Sequence, residues 1–199
     1  MCSSDLAFEG LTGCKLVEGY GLTEASPVAA CNPLYGVNKA GSIGQPLPGT
    51  SIVIADRDDP HRMVAAGERG EICISGPQVM AGYWNRPDDT ARSIVDGRLR
   101  TGDIGTMDED GYVFLIDRIK DLILVGGFNV YPRNVEEAIY QHSAVAEVTV
   151  CGVPDQRTGQ AVKAFVRLRD GATLTEAELV EFLRSRIGKD RKSTRLNSS

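Results

Sequence analysis

Residues 50–55 (TSIVIA) and 71–75 (EICIS) gather their apolar side chains into short runs bounded by glycine, and that brevity constrains the fold more than any other feature. Runs of this length are too short for amphipathic helices and read as strands of a small sheet or barrel. The intervening RDDPHRMVAAGERG is a polar excursion, and after GPQVMAGYWNRP residues 87–95 open with proline and then acids, the pattern of a helix N-terminus. The stretch TGDIGTMDEDGYVFLID then reads as a hairpin whose turn is residues 108–111.

A second unit begins near Arg118. Its pattern is a strand over 122–125, a glycine pair, a helix over 132–141, strands over 146–152 and 162–168, and a helix from 175 to about 187. Val135, Ala138 and Ile139 share one face of the first helix, and Leu179, Phe182 and Leu183 share one face of the last, so both need a sheet to cover them. Thr175, followed three residues later by Glu178, is a capping box that sets where the last helix starts. The fold class is therefore α+β.

Composition narrows the function. The 199 residues are 42% hydrophobic and 25% charged with formal net charge −5, enough for one or two globular domains. Basic residues are mixed with acids, which argues against a nucleic-acid binder. No apolar run approaches the roughly 20 residues that cross a bilayer, and the N-terminus lacks a signal pattern. A cytoplasmic protein is expected, with peripheral association at the inner membrane face and oligomeric state left open. The five cysteines form no C-x-x-C pair, and His61 and His142 lie far apart, so zinc has little to bind. Cys73 and Cys151 read as small buried hydrophobes.

Both ends look foreign. MCSSDL and DRKSTRLNSS resemble a translated sequencing adapter, the tail has no apolar periodicity, and residues 1–6 and 190–199 are set aside on that ground. A natural polar tail is the alternative. On the first reading the chain is a window of a larger protein.

The stretch EGYGLTEAS, residues 18–26, carries the first candidate chemistry. Glycine on both sides of Tyr20 suggests a ring left open for a planar base to stack on. Thr23 can donate to a phosphate oxygen, and Glu24 offers a hard oxygen to Mg²⁺. An exposed tyrosine in a glycine-rich turn is the plainer reading. RTGD, at 100–103, holds a carboxylate on a glycine turn that can accept from both hydroxyls of a ribose, and the arginine of DRIKD, at 117–121, can reach the same sugar. Either could equally be a surface ion pair.

YGLTE, GEICISGPQVMAGYWNRP, TGD and DRIKDLILVGGFNVYP, in this order, resemble the successive core motifs of the AMP-forming adenylating superfamily of acyl-CoA synthetases. The match spans nearly all of residues 13–189. EGYGLTEASPVAACNP, GPQVMAGYWNRPDDTA and VGGFNVYPRNVEEAI look most like bacterial long-chain fatty-acid CoA ligases. The resemblance implies that residues 7–117 are the C-terminal part of the large adenylating domain, with a small β-barrel-like subdomain, and that 118–189 are a small mixed lid domain, incomplete at both ends.

It also implies roles. Tyr20, flanked by Gly19 and Gly21, would stack on adenine, Thr23 would contact the phosphate, and Glu24 would help hold Mg²⁺. Asp103 would bind the ribose hydroxyls, assisted by Arg118. Gly19 and Tyr20 would edge the acyl pocket. Lys120 matches the hinge position, and Gly126 and Gly127 would let the pantetheine of CoA pass close to backbone. Lys120 as a solvated lysine, and the glycine pair as a turn before the helix, are the plainer readings. Tyr83 and Trp84 read as packing residues of their loop.

The implied reaction has two steps: the carboxylate of a fatty acid attacks the α-phosphate of ATP to give acyl-AMP and pyrophosphate, and the CoA thiolate then displaces AMP. Two parts of the family pattern are missing, a phosphate loop expected upstream of residue 1 and a catalytic lysine expected downstream of residue 189. Lys189 itself ends the last helix and does not match that lysine. The 199 residues alone are expected to be inactive. An adenylate-forming ligase for another carboxylic acid, either an aromatic acid or one loaded onto a carrier protein, and a non-catalytic piece that binds AMP or CoA, remain alternatives.

Overall fold

The computed structural model describes residues 3–184 and 186–187, and these divide into two compact units, one ending at Leu115 and the other starting at Ile116. The two suspected foreign ends lie partly outside the described residues: Met1, Cys2 and the whole of 190–199, together with Lys189, are not among them. Ser3–Thr12, however, is a helix (α1), so part of the excluded N-terminal stretch has regular backbone.

The first unit is built mainly from antiparallel sheet. Strands β1 (Gly19–Gly21), β2 (Val28–Cys31) and β3 (Gln45–Pro46) form one sheet in sequence order. β4 (Ser51–Ala55), β5 (Gly70–Ser75), β6 (Ile94–Val95), β7 (Arg98–Met107) and β8 (Val113–Arg118) form a second, in which β5 lies between β4 and β7, and β7 also pairs with β6 and β8. An isolated bridge from Gly44 to Val113 links the two sheets. Ile52, Ile54, Ile72, Ile74, Leu99 and Val113 fill the core together with Tyr20, Ala25, Ala29 and Ala30. β5 is buried on both faces, as suits a strand with partners on each side and cover above and below.

Helix α2 (Pro87–Ser93) starts as expected but stops two residues early, because Ile94 and Val95 extend and pair with Leu99 and Arg98. β-branched side chains that gain a strand partner favour the extended state.

The second unit is a four-stranded antiparallel sheet in the order β10-β9-β12-β11, with β9 (Ile123–Val125), β10 (Phe128–Val130), β11 (Val145–Asp155) and β12 (Gly159–Leu168). α3 (Pro132–Tyr140) and α4 (Glu176–Arg184) bury Val135, Ala138, Ile139, Leu179 and Leu183 in one cluster with Ile123, Val125, Val145, Val148, Val150 and Val162. The expected helix faces are therefore the ones covered, with Phe182 packed at the margin. The capping box forms: Thr175 Oγ1 accepts from the Glu178 amide at 3.3 Å and the Glu178 carboxylate accepts from the Thr175 amide at 2.8 Å.

Both arms of the β11–β12 hairpin run longer than the apolar pattern alone suggests. The Asp155 carboxylate accepts from the amides of Arg157 (3.0 Å) and Thr158 (2.8 Å) and from the Thr158 hydroxyl (2.7 Å), which closes the turn tightly and lets pairing continue to Asp155 and Gly159. β11 is an edge of its sheet, and α3 covers that edge chemically. Glu136 Oε1 accepts from the Val150 amide at 2.8 Å and the Tyr140 hydroxyl from the Val148 amide at 3.3 Å. Further along, Pro154 has no amide hydrogen to offer, a common device at exposed edges.

Candidate nucleotide site

The tetrapeptide RTGD lies on a bulge in β7. Glu71 pairs with Ile104 and Cys73 with Arg100, so three residues of β7 oppose the single Ile72 of β5. Gly102 takes φ +75° at the crest, a conformation that glycine adopts without strain. A bulge bends the strand and re-aims a side chain, and here the redirected residue is Asp103, which is 8% exposed. The Thr101 hydroxyl donates to the Ile72 carbonyl at 2.8 Å and accepts from the Asp103 amide at 3.1 Å, so the turn is fastened on the side of the acid as well.

Tyr20 meets this acid. Its hydroxyl donates to Asp103 Oδ2 at 2.6 Å, across 83 residues of sequence, so two residues singled out for a common nucleotide are in direct contact. The open ring expected from the flanking glycines is not found. Tyr20 is 8% exposed and belongs to the core of the first unit, because β1 alternates and turns its middle residue inward. Gly21 has a different reason to be glycine. A Cβ there would lie 1.6 Å from the Pro27 carbonyl oxygen and 2.8 Å from the Val28 Cα, so β1 can follow the chain into β2 this closely only without one. Gly19 is exposed and has room, the nearest atom to a Cβ being the Ala30 oxygen at 3.5 Å.

Thr23 and Glu24 follow on one turn of 3₁₀ helix, Thr23–Ala25, with Thr23 exposed and Glu24 half-buried. The Glu24 carbonyl accepts from the Met80 amide at 2.8 Å, and its Oε1 accepts from the Tyr83 hydroxyl at 2.9 Å. The YGLTE and GYW segments are thereby joined through backbone and side chain. Partial burial, and next the Glu24 carboxylate, hold the Tyr83 phenol above its ordinary pKa. Tyr83 is thus a polar partner more than a packing residue. Trp84, expected to pack, is 89% exposed, in a loop that takes a positive φ at Asn85 (52°) before α2 begins.

Among the described residues no three His, Cys, Asp or Glu side chains cluster to hold a metal. One carboxylate, Glu24, suits Mg²⁺ in its phosphate-bound form, in which most ligands are water and phosphate oxygen. Cys73 is 2% exposed, and burial pushes its thiol up to about 11, so it stays a neutral core residue, as expected. Cys151, by contrast, is only partly buried, because it alternates with Val150 on the two faces of a hairpin covered on one side.

The remaining candidates belong to the second unit. Arg118 is exposed and its amide donates to Asp117 Oδ1 at 2.8 Å. The other oxygen of Asp117 accepts from the Arg133 amide in the first turn of α3 at 3.2 Å, a helix-end contact that sequence reasoning missed. Lys120 is exposed on a single 3₁₀ turn, Ile119–Asp121. Gly126 and Gly127, with φ +58° and +85°, are the two-residue turn of the β9–β10 hairpin. Turns of this kind need positive φ at both central residues. The expectation of a plain turn before the helix missed β10 because Phe128–Val130 is short.

A family model described as "AMP-binding enzyme" matches residues 2–84, and one described as "AMP-binding enzyme C-terminal domain" matches residues 134–195. The long-chain-fatty-acid–CoA ligase of Bacillus subtilis is 53% identical over 180 residues, 90% of this chain and 32% of the relative. The long-chain-fatty-acid–CoA ligase of Salmonella typhimurium is 52% identical over 177 residues, 89% of this chain and 31% of the relative. The crystal structure of ATP-bound MatB from Rhodopseudomonas palustris superposes with a TM-score of 0.87 at 35% identity, covering 98% of this chain and 39% of that one. The chain thus spans about a third of the length of the curated relatives.

Proposed function

The chain belongs to the AMP-binding enzyme family, and on that premise we propose that it is part of an ATP-dependent, AMP-forming ligase that activates a long-chain fatty acid and passes it to CoA. The observation that carries this reading is the acid of RTGD, redirected by a bulge and hydrogen-bonded to the tyrosine of YGLTE. A carboxylate so held can accept from two vicinal hydroxyls, and ribose supplies such a pair.

Asp103 takes the ribose, and Tyr20 enters through its hydroxyl, which orients that acid, while Gly21 lets the strand that carries Tyr20 run against the Pro27–Val28 backbone and Gly19 is proposed to edge the acyl pocket. Thr23 is the donor to a phosphate oxygen. Glu24, kept in place by Tyr83, is the protein ligand to Mg²⁺, which when bound offsets charge on the phosphate during transfer. Arg118 is proposed as a second ribose contact and Lys120 as a backbone hinge. Gly126 and Gly127 are proposed to admit the pantetheine chain, a role compatible with an exposed turn whose Cβ positions meet nothing closer than a Thr158 methyl at 3.8 Å.

The test joins this chain to the remaining two-thirds of a complete ligase and follows pyrophosphate release with acids of graded length. Release that rises with acyl chains longer than about eight carbons, each methylene adding burial, is expected. Release with aromatic acids alone would replace the fatty-acid reading, and no release with any acid would remove the ligase reading. Among the described residues no helix is long and apolar enough to cross a membrane.

A further inference from the structure

Glu71 is a buried acid in an otherwise apolar strand. It occupies the second position of β5, is 2% exposed, and is followed by Ile72, Cys73 and Ile74. Its contacts all reach one place. Oε2 accepts from Arg100 Nε at 2.8 Å and from Arg100 Nη2 at 2.7 Å, and Oε1 accepts from the Gly102 amide at 3.0 Å.

Both carboxylate oxygens are therefore engaged by the segment that immediately precedes Asp103. With the Thr101 hydroxyl tied to Ile72 and to the Asp103 amide, each of Arg100, Thr101 and Gly102 is fastened to β5 at its side chain or its amide. A buried ion pair is weak support for stability, since apolar side chains of the same volume commonly serve as well. What an apolar pair could not supply is an acceptor for the Gly102 amide, nor a fixed register for a bulge that has no regular ladder to hold it.

We propose that Glu71 is a positioning residue: through Arg100 and the Gly102 amide it sets the bulge at which Asp103 presents its carboxylate to the two ribose hydroxyls of a nucleotide. The inference rests on the nucleotide reading of this site. It concerns ribose alone, so Glu71 governs discrimination between ribose and a sugar lacking those hydroxyls, and leaves recognition of the rest of the nucleotide untouched.

Glu71→Gln provides the perturbation, because an amide has one acceptor oxygen and cannot serve both the guanidinium and the Gly102 amide. Calorimetric titration of the 199-residue chain with AMP and with 2′,3′-dideoxy-AMP gives the ratio of the two Kd values. The unaltered chain is expected to prefer AMP by about tenfold or more, the equivalent of a charge-assisted hydrogen bond. In Glu71→Gln the ratio falls to within about twofold of one while the Kd for dideoxy-AMP stays the same. Arg100→Lys, which keeps a charge but loses the fork, is read by the same ratio and decides the matter if Glu71→Gln does not fold. Equal weakening of both ligands, with the ratio kept, marks a merely structural Glu71 and overturns the inference alone. No AMP binding by the unaltered chain overturns the nucleotide reading and the inference with it.

Discussion

Gly21→Ala tests whether the glycines around Tyr20 serve the strand or the ring. The added Cβ would lie 1.6 Å from the Pro27 oxygen, 2.6 Å from its carbonyl carbon and 2.8 Å from the Val28 Cα. These are backbone atoms, so relief requires β1 to move off β2 as a unit. Overpacking of this kind costs about 1–3 kcal/mol. A shift of β1 also carries the Tyr20 hydroxyl away from Asp103, a bond to a carboxylate worth about 1.5–3 kcal/mol when fully lost. A combined loss of about 3 kcal/mol lowers the melting temperature of a unit of this size by roughly 10 °C. Gly19→Ala is the control. Its Cβ meets nothing closer than 3.5 Å, and the smaller unfolded-state entropy stabilises by about 0.4–1 kcal/mol. Calorimetric melting of the two variants beside the unaltered chain should show a marked drop for position 21 and none for position 19. Similar melting temperatures for both variants would refute the steric reasoning.

Three further outcomes follow from the packing and the charges. Glu136→Ala leaves the Val150 amide at the β11 edge without its acceptor; a stability loss of about 1–3 kcal/mol and concentration-dependent self-association by light scattering are expected, and a monomer of unchanged stability would contradict the edge-covering role. Lys39 hydrogen-bonds Asp108 and holds its carboxyl below the ordinary value of 3.8, while amides of Asp58 and Asp59 lower Asp56, and Thr158 lowers Asp155. Folded values below unfolded ones stabilise fully above about pH 5 and are lost as pH falls through them, so Lys39→Met should shift acid unfolding to higher pH, and an unchanged midpoint would remove the Lys39–Asp108 contribution. Cys73, with its thiol at about 11, should resist iodoacetamide at about pH 8 until denaturant is added, whereas exposed Cys14 reacts at once; equal rates would contradict its burial.

Much of the architecture is legible in sequence where one face is buried and the period is regular. The faces Val135–Ala138–Ile139 and Leu179–Leu183, the Thr175–Glu178 box and the long β7–β8 arms all follow from local pattern and turn chemistry. Family membership is legible too, since four motifs in order carry it. What escapes is set by tertiary partners. Ile94 and Val95 read as the end of a helix until a strand arrives to pair with them. Phe128–Val130 is too short to signal a strand without its hairpin partner.

The same distinction holds at the site. Asp103 is visible as a carboxylate on a glycine turn, but the burial of Tyr20 is not, because glycine neighbours suggest openness, whereas Gly21 answers a collision with Pro27 and Gly19 merely has room. The partnership of Glu71 with Arg100 and Gly102 also escaped, although an acid inside an apolar strand is itself a signal: it must find charge-assisted partners to be buried at all. The Asp117 contact to α3 left no local trace, since its partner lies sixteen residues away on another element.

The central claim is that Asp103, on its bulge, receives a nucleotide. Backbone amide spectra of the 199-residue chain recorded during an AMP titration test it most directly. Saturable shifts at Thr101, Gly102 and Asp103, abolished by Asp103→Asn, are the predicted result. Saturable binding that leaves those three amides unmoved, or no binding at millimolar AMP, would contradict the account.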